Sequence, residues 1–144
     1  MSFEFWKKYL LAVSFVFVFF GVLLAFFGTT APFAIMNESI NSVFWAVTDV
    51  PDVIAAYQRW SYGVLGATMA GWGVFFIFLI TYAFPKKEPW VWNCIVYGIS
   101  IWFLIDTGIS MHFRVAFNVV FNSVTYIALA IPLIIVRKEF KSKR

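Results

Sequence analysis

One carboxyl group, that of Asp106, stands inside an otherwise apolar stretch of this sequence. A charged side chain at the centre of a membrane helix costs about 2.5–3.5 kcal/mol on insertion scales, and less near the membrane surface. A residue of this kind is kept when it is paired, protonated or functional. Trp102 and Ser110 lie one helical turn to either side of it, on the same helix face. Asp106 is therefore the first candidate for a functional group.

Candidate partners for this carboxyl group come from the other apolar stretches and from the turns beside them. Asn118 and Asn122 share one face of the next stretch, because residues four apart are neighbours on a helix. Arg59 and Arg114 are expected at the same end of the molecule. If these faces converge, a carboxyl group, one or two guanidinium groups and two amides form one polar site in the outer half of the bundle.

Two tryptophans, Trp72 and Trp102, fall near mid-membrane, deeper than an interfacial aromatic belt explains. They are placed to wall an apolar cavity below the polar site. The combination predicts a pocket for an amphipathic, lipid-like or quinone-like molecule. The candidate ligand-binding residues are Asp106, Arg59, Asn118, Asn122, Trp72, Trp102 and Arg114.

Two other roles for Asp106 stay open at this point. It is able to bridge to an arginine and lock the helices together, although interhelical polar contacts contribute only about 0.6 kcal/mol on average. It is also able to transfer a proton. Other chemistry is disfavoured, because a lone His112 cannot form a bis-histidine haem or zinc site, and a lone Cys94 excludes an internal disulfide. We expect no metal, no cofactor, no assigned catalytic residue, and a buried thiol at Cys94.

Composition identifies the class of protein that must position these residues. Of the 144 residues, 62% are apolar and 12% are charged, and the mean hydropathy is +0.86. Soluble proteins average about 45–50% apolar and about 25% charged residues. We therefore predict an integral membrane protein, a single-domain, all-α antiparallel four-helix bundle over residues 1–144. The basic residues flank apolar runs, so they indicate topology and lipid contact and do not indicate nucleic-acid binding.

Four apolar runs predict four membrane spans, at about 8–28, 57–84, 90–110 and 115–136. The first run is too long for the apolar core of a cleaved signal peptide, so we expect it to be a retained span. Short turns follow the second and third spans. We therefore expect spans two, three and four to be antiparallel neighbours, with span one closing the bundle.

Residues 29–56 form the one long connection, and apolar residues recur in it at helical spacing from Phe33 to Val47. This pattern predicts a short amphipathic helix that lies in the headgroup plane or covers the bundle. The sequence from Asp49 to Asp52 then predicts a helix start. A second span that begins there exceeds the membrane thickness and must tilt, kink or protrude.

Lysine and arginine counts predict the orientation. Arg59 and Arg114 stand on one side of the predicted spans, whereas nine basic residues stand on the other. Cytoplasmic loops carry the excess of these residues, so we expect both termini in the cytoplasm and the long loop outside, in a prokaryotic cytoplasmic (inner) membrane. The nine residues are Lys7, Lys8, Lys86, Lys87, Arg137, Lys138, Lys141, Lys143 and Arg144.

Small residues follow one another at three- and four-residue spacing in the second span, for example Gly66 and Ala70. Such spacing lets helix backbones approach closely. Packing within one chain and a homodimer interface are both consistent with it.

Several motifs resemble small, uncharacterised prokaryotic four-span proteins with a general similarity to the DoxX-like group. They cover roughly residues 59–135 and are Arg59-Trp60-x-x-Gly63-x-x-Gly66-Ala67, Gly71-Trp72-Gly73, Trp102-Phe103-x-x-Asp106-x-x-x-Ser110 and Pro132. Some DoxX-like members are associated with quinone-linked oxidoreductase complexes. The resemblance implies a four-span fold and no uniform activity.

Three functions follow as hypotheses. The leading one is a non-enzymatic protein that binds a membrane lipid or similar amphipathic ligand, with Asp106, Arg59 and Asn122 holding its polar end. The second is an accessory subunit of a larger membrane complex. The third is an intramembrane isomerase that uses Asp106 as a base.

Overall fold

The computed structural model describes residues 2–47 and 50–140 and contains five α-helices. These are α1 (Phe3–Phe27), α2 (Ala34–Phe44), α3 (Asp52–Phe78), α4 (Pro89–His112) and α5 (Ala116–Val136). Four segments are long and apolar enough to cross a membrane: Phe3–Phe27, Asp52–Lys86, Pro89–His112 and Ala116–Phe140. The all-α fold, the four spans and the short helix in the long loop are therefore confirmed.

The second span is longer than a membrane requires. It comprises α3, a π-helical turn at Leu79–Ala83 and a 3-10 turn at Phe84–Lys86. Its 35 residues correspond to roughly 50 Å of helix, against about 30 Å of hydrocarbon. The helix follows Pro51, as the sequence predicted, while Asp49 lies outside the described residues.

The helices pack in an order that differs from the expected one. α1 lies along α3, α4 lies along α5, and α1 also contacts α5. α3 and α4 make no extended backbone contact in the described part of the chain, so the prediction that spans two and three are neighbours is wrong, whereas the prediction that spans three and four are neighbours is confirmed. The short turn brings the ends of α3 and α4 together but does not make the two helices pack along their length. The order around the bundle is α3, α1, α5, α4, with a gap between α3 and α4.

Glycine explains why α1 and not α4 is the close neighbour of α3. A Cβ on Gly21 would lie 2.6 Å from the Ala70 nitrogen and the Gly66 oxygen. A Cβ on Gly73 would lie 2.7 Å from Val18 Cγ2. The two backbones touch at these points, because no side chain separates them. Gly66, Ala70 and Gly73 of the second span thus pack within the chain.

The tightest core lies at the end of the bundle that holds residues 3, 84–91 and 140, which we call the basic end. The buried residues there come from all four spans and include Leu10, Ile80, Val91 and Leu133. Phe140 is also buried, with its ring 4.7 Å from that of Phe84. Phe140 is therefore part of this core, and residues 141–144 lie outside the described residues.

The opposite end of the bundle, which we call the loop end, holds residues 28–52 and 112–116. Tyr62, Leu24 and Phe33 form a second, smaller buried cluster there. The bundle is thus closed at the basic end, while toward the loop end α3 and α4 stand apart. Cys94 in α4 is exposed on the bundle surface, so the prediction of a buried thiol is wrong.

Candidate functional site

A cavity of about 500 Å³ occupies the loop-end half of the bundle. Its lining comes from α1, α3, α4 and α5 and from the helix α2 above them. The volume falls within the range of about 300–1,000 Å³ that is typical of pockets for drug-sized ligands. Because α3 and α4 do not pack along their length, both contribute lining residues that are also exposed on the bundle surface, such as Leu65, Trp72 and Ile109.

Most of the cavity wall is apolar and aromatic. Trp72 of α3 and Trp102 of α4 both line it, as the sequence predicted. On the other side, Phe20 of α1 stacks on Phe121 of α5 with ring centroids 5.4 Å apart. Such a wall suits hydrocarbon and offers few polar contacts to anything within.

The cavity lining includes a hydrogen-bonded cluster of Asp106, Ser110 and Asn118, and Tyr62 and Thr68 of α3 add hydroxyl groups to the lining. Asn118 Nδ2 donates to Asp106 Oδ1 and to Ser110 Oγ, each at 2.7 Å. Ser110 Oγ donates to the Asp106 carbonyl oxygen at 2.7 Å and lies 3.3 Å from Asp106 Oδ1. We call these three residues the polar cluster. It joins α4 to α5 through side chains that the sequence had placed on facing helices.

The turn between α4 and α5 positions the polar cluster. Arg114 has a left-handed backbone with φ 60. The Val115 nitrogen bonds the Ser110 oxygen at 2.9 Å, and the Arg114 nitrogen bonds the Met111 oxygen at 3.1 Å. This pair of bonds around a left-handed residue is the Schellman ending of a helix. The chain reverses within one turn of Ser110, and Asn118 therefore faces Asp106.

Asn122 lies deeper in the same cavity and is 1% exposed. Its Nδ2 is 3.4 Å from Thr107 Oγ1, at the long limit of a hydrogen bond. The amide extends the polar contacts between α4 and α5 by one further helical turn.

The cavity is covered at the loop end by α2. Met36, Ile40 and Phe44 line the cavity from above. Buried Gln58 of α3 donates from Nε2 to Asn41 Oδ1 at 2.6 Å and so fastens α2 to the bundle. Of the two alternatives that the loop pattern left open, the helix covers the bundle. Sequence reasoning missed Gln58, whose only signal was a neutral polar residue at the start of an apolar span.

The two predicted arginines are not part of the site. Arg59 is exposed and does not line the cavity. Arg114 is also exposed, and its backbone makes the turn described above. In residues 2–47 and 50–140, the ion pairs are Lys7–Glu4 and Lys87–Glu139, so neither arginine pairs with Asp106. Helical spacing placed both arginines at the correct end but could not show which way they face.

No family model, curated protein or solved structure matches this chain. The described residues also contain no group of three or more His, Cys, Asp or Glu side chains able to hold a metal ion. Any account of function therefore rests on the cavity and its lining.

Proposed function

We propose that this protein binds an amphipathic, lipid-like molecule in the cavity between α3 and α4. The observation that carries the proposal is a cavity of about 500 Å³ within the bundle that is mostly apolar and that carries the polar cluster on its α4–α5 side. An apolar chain gains about 25 cal/mol for each Å² of its surface removed from water. A polar headgroup finds hydrogen-bonding partners in the polar cluster.

The gap between α3 and α4 gives such a ligand a lateral route from the membrane. Leu65 of α3 and Ile109 of α4 are both lining residues, and both residues are more than half exposed. A ligand that moves between them need not cross water. This geometry suits a molecule that is dissolved in the bilayer better than one that arrives from solution. From the positive-inside bias we further propose that the cavity lies in the outer leaflet of a prokaryotic cytoplasmic membrane.

Photolabelling tests the proposal. The full chain in lipid nanodiscs is irradiated with a hexadecyl alcohol that carries a diazirine in its chain, and labelled peptides are identified by mass spectrometry. We expect label on the peptides of Trp102 and Phe121. Thr68→Trp fills the cavity from α3 and is expected to remove this label, whereas Phe19→Trp, on the exposed face of α1, is expected to leave it. Equal labelling of all three proteins at these peptides would contradict the proposal.

A further inference from the structure

We infer that the cavity selects a ligand whose polar group is an uncharged or cationic hydrogen-bond donor, that is, a hydroxyl or an amine at the end of an apolar chain. The inference rests on the proposed function and specifies the chemical class of the ligand. It excludes the anionic lipids that two arginines at the site would have favoured.

The side chains of the polar cluster use their own hydrogen-bond donors within the cluster. Both amide hydrogens of Asn118 are used, on Asp106 Oδ1 and Ser110 Oγ. The Ser110 hydroxyl hydrogen is used on Asp106. Within the described residues, Asp106 Oδ2 and Asn118 Oδ1 accept no hydrogen bond. What the cluster still offers a ligand is acceptor oxygens.

The charge of the lining residues also limits which ligands the cavity accepts. Asp106 is the one residue of type Asp, Glu, Lys, Arg or His among the described residues that line the cavity. A carboxylate or phosphate ester on the ligand would therefore meet a carboxyl group with no cation beside it. Like charges at short range in a medium of low dielectric constant repel strongly. An ammonium group would instead meet an opposite charge, and a hydroxyl would donate to an open oxygen.

Quinone-like ligands differ in whether their headgroup donates hydrogen bonds. An oxidised quinone headgroup presents carbonyl oxygens, which only accept hydrogen bonds. Its hydroquinone form carries two hydroxyl groups, which donate. An acceptor-only headgroup would leave the open oxygens of Asp106 and Asn118 unpaired, and an unpaired buried polar group is costly. The polar cluster therefore favours the hydroxyl-bearing form.

A series of probes with one common chain tests the inference. Hexadecylamine, hexadecanol, hexadecyl methyl ether and hexadecanoate compete with the photoreactive alcohol for the full chain in nanodiscs, and cavity label is measured at equal probe content in the bilayer. Loss of one hydrogen bond to a charged group costs about 1.5–3 kcal/mol, which is tenfold or more in affinity. We expect the amine and the alcohol to compete at least about tenfold better than the ether and the carboxylate.

Asp106→Asn provides the matched variant, because it keeps the shape of the side chain and removes its charge. We expect it to bring the amine down to the level of the alcohol. Equal competition by all four probes, or strongest competition by hexadecanoate, would overturn the donor inference and leave the binding proposal standing. Cavity label that is insensitive to Thr68→Trp would instead remove the binding proposal, and the donor inference would fall with it.

Discussion

At the scale of single residues, the pairing of Asp106 with Asn118 is the feature on which the site depends. The two side chains are twelve residues apart in sequence and meet at 2.7 Å because the turn at Arg114 reverses the chain. The bond gives the carboxyl group a partner inside the bundle, so a structural contribution at Asp106 is compatible with the proposed binding role. Interhelical polar contacts of this kind contribute only about 0.6 kcal/mol on average. Structural stabilisation is therefore a weak reason by itself for a carboxyl group at this position.

A double-mutant cycle measures the strength of this pair. For Asp106→Ala and Asn118→Ala, we expect a coupling in the free energy of unfolding of about 0.6–1.7 kcal/mol, the range measured for interhelical polar contacts in a membrane protein. The measurement is reversible unfolding in mixed detergent micelles. The control cycle pairs Asp106→Ala with Arg59→Ala and should give no coupling, since Arg59 is exposed. A larger coupling to Arg59 than to Asn118 would show that the arginine belongs to the site.

Sequence reasoning could find Asp106, Asn118 and Asn122 because they lie on consecutive helices joined by a very short turn. Helical spacing and the antiparallel arrangement of α4 and α5 then suffice to make these side chains face each other. The same reasoning failed for Arg59, because its position depends on how α3 is rotated against α1. That rotation follows from long-range backbone contact between Gly21 and Gly66, which no local pattern reports.

At the scale of helices, the close contact between α1 and α3 sets the shape of the bundle. Gly21→Ala places a methyl group against the backbone of Gly66 and Ala70, so the helices must separate. We expect a loss of about 1–3 kcal/mol in the free energy of unfolding, the usual cost of overpacking. Gly71→Ala is the matched control, because no atom lies within 4 Å of its added Cβ. A greater loss for Gly71→Ala, measured in the same micelles, would contradict the packing described.

The attachment of α2 to α3 is a second prediction at this scale. Gln58→Ala removes the donor to Asn41, so we expect faster amide hydrogen exchange in residues 34–44. Tyr57→Ala changes an exposed neighbour on the same helix and should leave that exchange unchanged. Protection of α2 that persists in Gln58→Ala would mean that its apolar contacts alone hold the helix over the cavity.

At the scale of the whole molecule, the positions of the helix ends predict a topology. α1 begins at the basic end, and the described part of the chain also ends there, at Phe140. The long loop lies at the opposite end. We expect a membrane-impermeant thiol reagent to label Ser42→Cys in intact bacterial cells and to label Lys86→Cys only after the membrane is opened. Both variants are made in a Cys94→Ser background. The reverse labelling pattern would show that the bundle has the opposite orientation in the membrane, with the cavity in the inner leaflet.

The number of apolar helices long enough to cross a membrane could be predicted from hydropathy, because a membrane demands about 20 apolar residues for each crossing. The helix order could not, because short turns constrain only the ends of helices. The gap between α3 and α4 follows from that order, and the cavity follows from the gap. The wall residues Trp72 and Trp102 were identifiable by their depth, whereas the enclosing role of α2 required its contact with Gln58.

The most direct test of the binding proposal is an experimental density map of the full chain in nanodiscs prepared with hexadecanol. The account predicts elongated density beside Trp72 and Trp102, with one end within hydrogen-bonding distance of Asp106 or Asn118. Thr68→Trp, prepared in the same way, should lack that density. A map in which α3 and α4 pack together along their length, with the cavity closed, would contradict the account.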